Sequence, residues 1–466
     1  MSPLDAAEEI AEHVAGTTYT DLPDAAVMAA KKVITDLFGV TVAGSSSPES
    51  MQVLGLVRGW GGRGESRVIV HGDRVPAPDA GLVNGVMGRA RDFDDVHEAA
   101  VLHPSVSVVP AALAVAELQG GVTGREFITA VVLGVDLTCR LGMAPKTGPN
   151  VSGMSTTWQC GAFGSAAAAC RVIGLDADET LNALGIAYSQ ASGNQQSIVE
   201  GATIVRVQQG LTTKAGITSA LLAMSGVTGP KEALEGRFGY YPVYHRGEYD
   251  RVALLGGLGE RYEIVNTSIK PYPCCKWTHQ AIEAALGIVD EEGIKPEAVE
   301  AVEVRLNRQA YNLTCEPMQL KRRPRSVVDA QFSVPFTVAA AIVRGGVSID
   351  TFTEEGIRDP EILEMAQRVE ATVDPGIEAR YGREIAPEVV EVRTTGGETH
   401  VRLVEHVRGS PGAPMSFDEV KEKFRGCTAY SAKPVPMENV EEFLGAATEL
   451  EKLGDVSSLI EPLTTL

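Results

Sequence analysis

The segment Ser105–Leu118 limits the possible folds more than any other part of the chain, because it is apolar around almost its whole helical circumference. It follows Pro104, and valine, alanine and leucine occupy positions on every side of the predicted helix. A helix that is hydrophobic all round is buried all round. The segment therefore predicts a central helix in a core built by the rest of the chain.

Further helical patterns follow one another through residues 1–264. Leu22-Pro23-Asp24 begins one helix, with the proline where its missing N–H costs little, and the apolar face of this helix continues to Gly44. Abundant alanine and glycine suit helices whose backbones approach closely. The other helices predicted here are Asp79–Met87, Gly164–Leu175, Glu179–Ser189 and Lys214–Ser225, and Ser66–Val70 is the one segment with a strand pattern.

The pattern changes after residue 265. Val299–Leu306 alternates as a strand does, and Val389–Thr394 and Thr399–Val404 flank Gly396-Gly397, which predicts a hairpin. Helices are predicted at Gln280–Val289, Asp329–Val343 and Glu361–Val369, and again at 417–424 and 438–453. We therefore predict a mostly α fold, in which a large all-helical domain built from both chain ends (residues 1–264 and 409–466) is interrupted by an inserted α+β domain (residues 265–408).

The overall charge excludes some classes of partner. The chain has 41 Lys and Arg against 61 Asp and Glu, a formal net charge of −20. A surface this acidic repels nucleic acid, so we expect no nucleic-acid partner. It also repels anionic substrates at long range. A pocket that binds an acid must therefore carry its own local cations.

Cysteine usage and hydropathy predict a cytoplasmic protein. The seven cysteines are odd in number and include no C-x-x-C, which argues against a disulfide framework, an iron–sulfur cluster and a zinc knuckle. The amino-terminal residues lack the pattern of a signal or transit peptide. No apolar run reaches 18 residues, so we expect no membrane partner.

A short stretch between two predicted helices concentrates acidic and imidazole side chains. It reads Arg91-Asp92-Phe93-Asp94-Asp95-Val96-His97, and His103-Pro104 follows; we call residues 90–104 the aspartate loop. Like charges packed together cost free energy unless they are neutralised or used, and loops held by rigid helices carry catalytic residues. The loop predicts part of an active site. The alternative is an acidic helix cap with His97 in solvent.

A second stretch, residues 270–279, carries cations, thiols and a histidine. It reads Lys270-Pro271-Tyr272-Pro273-Cys274-Cys275-Lys276-Trp277-Thr278-His279, and we call it the proline–cysteine segment. Its prolines predict a stiff, non-helical conformation. Two sulfurs alone make no metal site, so we predict no metal. Lys214, at the predicted start of a helix, is a third candidate, and the alternative is an ordinary surface lysine.

These stretches, taken with others, resemble the MmgE/PrpD family, which includes 2-methylcitrate dehydratase, cis-aconitate decarboxylase and iminodisuccinate epimerase. The resemblance extends over nearly the whole chain. Its motifs are Asn84-Gly85, Asp92-Phe93-Asp94-Asp95, His103-Pro104-Ser105, Pro110-Ala111-Ala112-Leu113-Ala114, Gly161-Ala162-Phe163-Gly164-Ser165-Ala166, Lys270-Pro271-Tyr272-Pro273-Cys274-Cys275, Asp329-Ala330-Gln331-Phe332-Ser333 and Leu450-Glu451-Lys452-Leu453-Gly454-Asp455-Val456.

The resemblance implies a helical domain with an α+β lid domain, a homodimer joined through the helical domain, a small polycarboxylate as substrate, and neither metal nor cofactor. It also implies the functional residues. The catalytic residues implied are Asp92, His103, Lys214 and Lys270, and the substrate-binding residues are Asp95, Tyr272, Cys275, His279 and Tyr311.

The chemistry of these residue types agrees with removal of a proton next to a carboxylate. Ammonium groups such as those of Lys214 and Lys270 stabilise the charge that builds on the carboxylate oxygens. The ordinary pKa of a histidine suits His103 to transfer a second proton. Asp92 either orients His103 or acts as the base, and the sequence leaves both possibilities open.

Several positions depart from the family pattern and bear on the substrate. Arg89 stands where a histidine is common, Val96 where threonine is often found, and Met154-Ser155 where an aromatic–histidine pair is usual. Cys275 stands where a decarboxylase is expected to have histidine, which weighs against decarboxylation. The main hypothesis is a hydro-lyase that resembles 2-methylcitrate dehydratase. The alternatives are an epimerase or isomerase of a dicarboxylate, a decarboxylase, and a carboxylate-binding protein without catalysis.

Overall fold

The computed structural model describes residues 4–146, 153–382 and 384–464. The chain forms two compact units: Met1–Gln195, Ile204–Ile269 and Met415–Leu466 make up the first, and Gln196–Thr203 with Lys270–Pro414 the second. The first unit thus takes residues from both chain ends. Its boundaries lie five or six residues beyond those predicted at 264 and 409, and residues 196–203 go with the second unit.

Helices account for most of the described secondary structure, which confirms a mostly α fold. Numbered along the chain, the α-helices are α1 Ala6–Gly16, α2 Asp24–Gly44, α3 Pro48–Trp60, α4 Ala77–Arg89, α5 Ser105–Gln119, α6 Gly124–Met143, α7 Thr156–Ile173, α8 Ala177–Tyr188, α9 Gln196–Val199, α10 Ile204–Met224, α11 Tyr240–His245, α12 Arg251–Leu255, α13 His279–Glu292, α14 Arg308–Thr314, α15 Met318–Arg322, α16 Val327–Gln331, α17 Val334–Arg344, α18 Pro360–Ala366, α19 Pro375–Tyr381, α20 Phe417–Thr428 and α21 Met437–Thr448. Short 3-10 helices lie at Tyr19–Asp21, Glu263–Asn266, Lys276–Thr278, Pro296–Ala298, Ile349–Phe352, Gly356–Arg358, Leu450–Lys452 and Val456–Leu463.

Helix α5 is the central helix of the first unit. Every residue from Ser105 to Ala116 is buried, and the helix packs against α4, α6 and α7. The prediction of a helix buried on all sides is confirmed. Helix α2 also begins and ends as predicted, after Pro23 and at Gly44.

Close approach between helices explains why glycine occurs inside them. A Cβ atom on Gly164 of α7 would lie 2.5 Å from the carbonyl oxygen of Gly134 on α6, and one on Gly210 of α10 would lie 2.2 Å from the carbonyl oxygen of Leu82 on α4. No side chain fits at these distances. The predicted starts of α7 at Gly164 and of α10 at Lys214 are therefore wrong: these helices begin at Thr156 and Ile204 and continue through their glycines.

The described residues of the first unit include four two-residue strands, where the sequence predicted one longer strand at Ser66–Val70. Strand β1 (Ser66–Arg67) pairs with β2 (Arg74–Val75), and β3 (Val96–His97) pairs with β4 (Thr267–Ser268), both antiparallel. The β3–β4 pair joins the aspartate loop to residues 267–268, near the end of the Ile204–Ile269 segment of this unit.

The second unit contains a four-stranded sheet in the order β6-β5-β7-β8. Strand β5 (Val299–Leu306) pairs parallel to β6 (Val369–Val373) and antiparallel to β7 (Glu388–Thr394), which forms a hairpin with β8 (Thr399–Val404). The strand at 299–306 and the hairpin are confirmed. Gly397 adopts a positive φ of 86° in the turn of this hairpin.

Two helical predictions in the second unit need correction. The helix predicted at Asp329–Val343 is interrupted, because the Ser333 side chain caps a new helix, α17, whose second residue is Pro335. The helix predicted at Glu361–Val369 ends at Ala366, since Val369 already belongs to β6. In the described ranges, no helix has both the length and the apolar composition that crossing a bilayer requires.

Candidate active site

The aspartate loop connects α4, which ends at Arg89, to the central helix α5. Asp92 continues the last turn of α4, since its N–H donates to the Arg89 carbonyl at 3.1 Å, and it adopts a left-handed φ of 51°. A non-glycine residue rarely adopts this conformation, and it persists where surrounding contacts hold it. Further along, the His97 N–H donates to the Leu102 carbonyl at 2.9 Å. Two helices and these backbone bonds thus fix the loop.

Arg89, the last residue of α4, is a buried cation beside the aspartate loop. Its guanidinium contacts the Asp92 carboxylate and lies with Nη1 2.9 Å from Oδ1 of Asp94. Burial alone would lower the pKa of Arg89, but the charges of the two aspartates more than offset it, so the pKa lies above its ordinary value. The position that departs from the family pattern therefore carries a fixed positive charge between two carboxylates.

His103 lies at the start of α5, directly before Pro104. Its Nδ1 is 3.0 Å from Oδ2 of Asp94, and its backbone N–H donates to the Thr157 hydroxyl at 3.3 Å. The Asp94 side chain has no exposed surface, whereas 17% of the His103 side chain is exposed. The structure thus brings together Asp92 and His103, as predicted. It also places beside His103 a carboxylate, Asp94, that the sequence reasoning did not select.

Asp92, Asp94 and His103 lie close enough together to hold a metal ion. One oxygen or nitrogen each from Asp92, Asp94 and His103 lies within 4.8 Å of the others. Arg89, however, already contacts both carboxylates, and a second cation beside a guanidinium is electrostatically unfavourable. We therefore interpret the cluster as a network of ion pairs and not as a ligand set.

Asp95 faces the first residue of α5. The Ser105 hydroxyl donates to its carboxylate, which is fully buried. Burial raises the pKa of Asp95 to about 8, although the serine bond opposes the shift. In this structure Asp95, predicted to bind substrate, holds the start of the central helix.

The loop also depends on a lysine from the far end of the chain. Lys423 on α20 places its ammonium 2.7 Å from Oδ1 of the buried Asp36, donates to the Phe93 carbonyl at 2.9 Å and lies 3.8 Å from the centre of the Phe93 ring. No local pattern could have indicated this residue, because it lies 330 positions from Phe93 in the sequence.

Lys214 lies away from this cluster. Because α10 begins at Ile204, Lys214 is in the third turn of the helix and not at its start. Its ammonium is 2.6 Å from Oδ1 of Asp79 and 4.6 Å from the centre of the Trp60 ring. Asp79 lies in the first turn of α4 and Arg89 at its last residue, about 15 Å apart along the helix axis.

The proline–cysteine segment lies in the second unit. Lys270 is completely buried, and the Cys275 N–H donates to the Gln331 carbonyl at 2.9 Å. Tyr272 meets His279 edge to face, with ring centres 5.3 Å apart. Burial raises the pKa of Tyr272 above its ordinary value, so this hydroxyl is a neutral donor. The segment therefore combines a buried lysine with a packed tyrosine–histidine pair.

Two further side chains lie near this segment. Tyr311, predicted to bind substrate, is half-buried on α14, which packs against the 276–278 turn. Lys321 on α15 is buried, donates to the Phe332 carbonyl at 2.7 Å, and has a pKa lowered by burial. The sequence analysis did not select Lys321, which stands in a run of basic residues of the kind that usually lies on a surface.

Comparison with known proteins agrees with the resemblance found in the sequence. The model of the MmgE/PrpD N-terminal domain matches residues 8–252, and that of the MmgE/PrpD C-terminal domain matches residues 272–444. A cis-aconitate decarboxylase of Aspergillus terreus is 27% identical over 479 residues, which cover 98% of this chain and 95% of that protein. The human cis-aconitate decarboxylase is 26% identical over 465 residues, covering 97% of this chain and 93% of that protein.

Proposed function

Because the chain belongs to the MmgE/PrpD family, we propose that it is a lyase that transfers a proton at the carbon next to a carboxylate of a small di- or tricarboxylic acid. The leading form of this proposal is a hydro-lyase similar to 2-methylcitrate dehydratase. The reaction needs a base for the carbon-bound proton and an acid for the departing hydroxyl group. It needs no metal or cofactor.

The observation that carries the proposal is the contact of His103 with a buried carboxylate. A histidine whose ordinary pKa lies near neutrality both accepts and donates a proton at working pH. The buried Arg89, Asp92 and Asp94 surround this one partly exposed titratable group. We assign proton transfer to His103 and keep Asp92 as the second acid–base group.

Cations must stabilise the negative charge that develops on the substrate carboxylate as the proton leaves. Fixed positive charges in a dry site do this most effectively. We assign this role to Lys270, whose complete burial supports it. Lys214, expected as the second cation, pairs instead with Asp79 in the first turn of α4. Tyr272, Cys275, His279 and Tyr311 complete the proposed set as substrate contacts, whereas Asp95 binds Ser105 at the start of α5.

Decarboxylation is the second candidate, because the relatives that match over nearly the full chain are named cis-aconitate decarboxylases. The two reactions share a carbanion-like state next to a carboxylate and differ in the bond that breaks. In dehydration the C–O bond breaks and water leaves. In decarboxylation the C–C bond breaks, carbon dioxide leaves, and the carbon is protonated. The same histidine suits both.

Proton NMR in deuterium oxide with a panel of di- and tricarboxylates, cis-aconitate included, tests the proposal. We expect olefinic signals to appear from a hydroxy acid. Loss of carbon dioxide from cis-aconitate would establish the second candidate instead. Deuterium exchange at carbon without either change would identify an epimerase. The absence of any exchange or new product across the panel would contradict the proposal. The His103→Gln variant, assayed in the same way, is the negative control.

Two properties belong to this proposal. Activity should persist in EDTA, and a loss that zinc, iron or magnesium restores would contradict metal-independent catalysis. We also place the enzyme in the cytoplasm, and all seven cysteines are buried thiols outside any disulfide, as suits a reducing compartment.

A further inference from the structure

We infer that Asp94 orients His103 for proton transfer, and that Arg89 holds Asp94 in the charged state that this task requires. The inference rests on the proposed function only in giving His103 a proton to transfer. It assigns positioning roles to two residues that the sequence analysis left without one.

The two oxygens of Asp94 face two different partners. Oδ1 lies 2.9 Å from Nη1 of Arg89, and Oδ2 lies 3.0 Å from Nδ1 of His103. A carboxylate that is held at both oxygens cannot rotate without losing one contact. Asp94 is also completely buried, so water does not screen its charge from the imidazole. In this arrangement His103 is the acid–base group and Asp94 is the group that orients it.

The contact determines which ring nitrogen carries the proton. A neutral imidazole has one N–H donor and one acceptor nitrogen. The negative charge of Asp94 lies 3.0 Å from Nδ1 and stabilises a proton on that nitrogen more than one on Nε2, so Nδ1 carries the proton. Nε2 is then the atom that exchanges a proton with substrate. The imidazole is also the most exposed of the clustered side chains, at 17% against 7% or less for Arg89, Asp92 and Asp94.

Arg89 makes this arrangement possible at neutral pH. Asp92 and Asp94 lie close together in the protein interior, where two like charges raise the pKa of one of them strongly unless a cation intervenes. The Arg89 guanidinium contacts both. Without it, one carboxyl group would bind a proton, and a protonated Asp94 would no longer select the Nδ1–H form of His103.

The first test uses 15N-labelled histidine and needs no substrate. The His103 signal is assigned by its absence in His103→Gln. We expect its nitrogen shifts at high pH to identify the Nδ1–H form in the wild type. A wild-type Nε2–H form would overturn the inference without any variant. This measurement also separates the inference from the proposed function, because it stands even if no substrate is turned over.

The second test compares two buried aspartates of the same loop. Asp94→Asn should lower the pKa of His103 by about one unit or more and mix its two neutral forms, because the stabilising charge is gone. Asp95→Asn is the matched control, since Asp95 faces Ser105, and it should shift the His103 pKa by less than half as much. Equal effects of the two variants, or none from Asp94→Asn, would overturn the inference.

The third test distinguishes positioning from general structural support. Asp94→Asn should lower kcat by roughly 100-fold or more while KM changes little. Arg89→Met should move the acidic limb of the kcat/KM profile to higher pH, and Arg89→Lys should restore part of that shift because it restores the charge. A profile that keeps its shape in Arg89→Met would contradict the role of Arg89.

Discussion

Single residues of the aspartate loop take different tasks although they stand next to one another. Asp94 contacts His103, whereas Asp95 contacts Ser105 at the start of α5. Asp92, two residues before Asp94, adopts a left-handed φ of 51°. The sequence predicted a site in this loop and selected Asp92 and His103 for it. It could not distinguish which carboxylate meets the imidazole, because that depends on the loop's local geometry.

His103→Gln tests the catalytic assignment most directly. Glutamine keeps a similar size and hydrogen-bonding capacity but does not transfer protons. We expect a folded protein whose kcat falls at least ~100-fold, measured in the NMR assay with the substrate it identifies. Thermal unfolding of the same preparation serves as the control for folding. More than a tenth of the wild-type rate would mean that His103 is structural.

Asp95 should make stability depend on pH. Its carboxyl has a pKa of about 8 in the folded protein against an ordinary 3.8, so the folded state binds the proton more tightly. The stability this contributes is present below about pH 4 and is lost as pH rises through about 8. Asp95→Asn should remove that decline. We expect the difference in the free energy of unfolding between Asp95→Asn and the wild type to change by at least about 1.4 kcal/mol over this pH range. This is the free energy that corresponds to a shift of one pKa unit.

Urea unfolding at several pH values measures the effect of Asp95→Asn. Asp418→Asn, on the exposed face of α20, is the control and should run parallel to the wild type. If the unfolding free energy of Asp95→Asn followed the same pH dependence as that of the wild type, the Asp95 carboxyl would be ionised throughout the pH range.

At the scale of elements, the predictions succeeded where local signals agree with tertiary packing. Pro23 and Gly44 mark the two ends of α2, and alternation marks β5. The start of α10 was misplaced because Gly210 looks like a break in a helical pattern. Its actual function is to let the α10 backbone approach α4. The sequence therefore predicts that a helix exists more reliably than it predicts where the helix begins, because glycines needed for close packing look like helix ends.

Helix α20 supports the aspartate loop through one lysine. Lys423→Met should leave Asp36 as a buried carboxylate without this cation and should release the Phe93 carbonyl. Breaking a buried pair in this way costs about 3–5 kcal/mol, to be measured by urea unfolding. Lys421→Met on the same helix removes an exposed pair with Asp418 and should cost less than about 1 kcal/mol. Similar costs for the two variants would contradict the supporting role of Lys423.

At the scale of the whole molecule, the first unit exposes an apolar stripe. Ile204, Leu211 and Leu222 of α10 are 37–49% exposed and recur at spacings of seven and eleven residues, which places them on one face. Leu56 and Trp60 of α3 are also exposed, and Lys214 of α10 lies over the Trp60 ring. We propose that this surface joins two copies of the chain, as the family resemblance implies.

The dimer proposal predicts a specific dissociation. The double variant Leu211→Glu/Leu222→Glu should convert a dimer into a monomer, because four charges would be buried at a two-fold contact. Light scattering at micromolar concentration measures the mass. Val252→Glu, at a highly exposed position of α12, is the control and should remain dimeric. A wild-type monomer, or a dimer in the double variant, would contradict the proposal.

The contact of Lys423 with the aspartate loop also determines when the site can mature during synthesis. A ribosome makes Phe93 and its neighbouring carboxylates 330 residues before it makes Lys423. At 5–20 residues per second, this leaves an interval of roughly 15 to 65 s. During that time the nascent chain holds Asp36 and the loop without the cation that joins them. Chaperone binding and proteolytic sensitivity of the nascent protein should therefore persist until its last helices emerge.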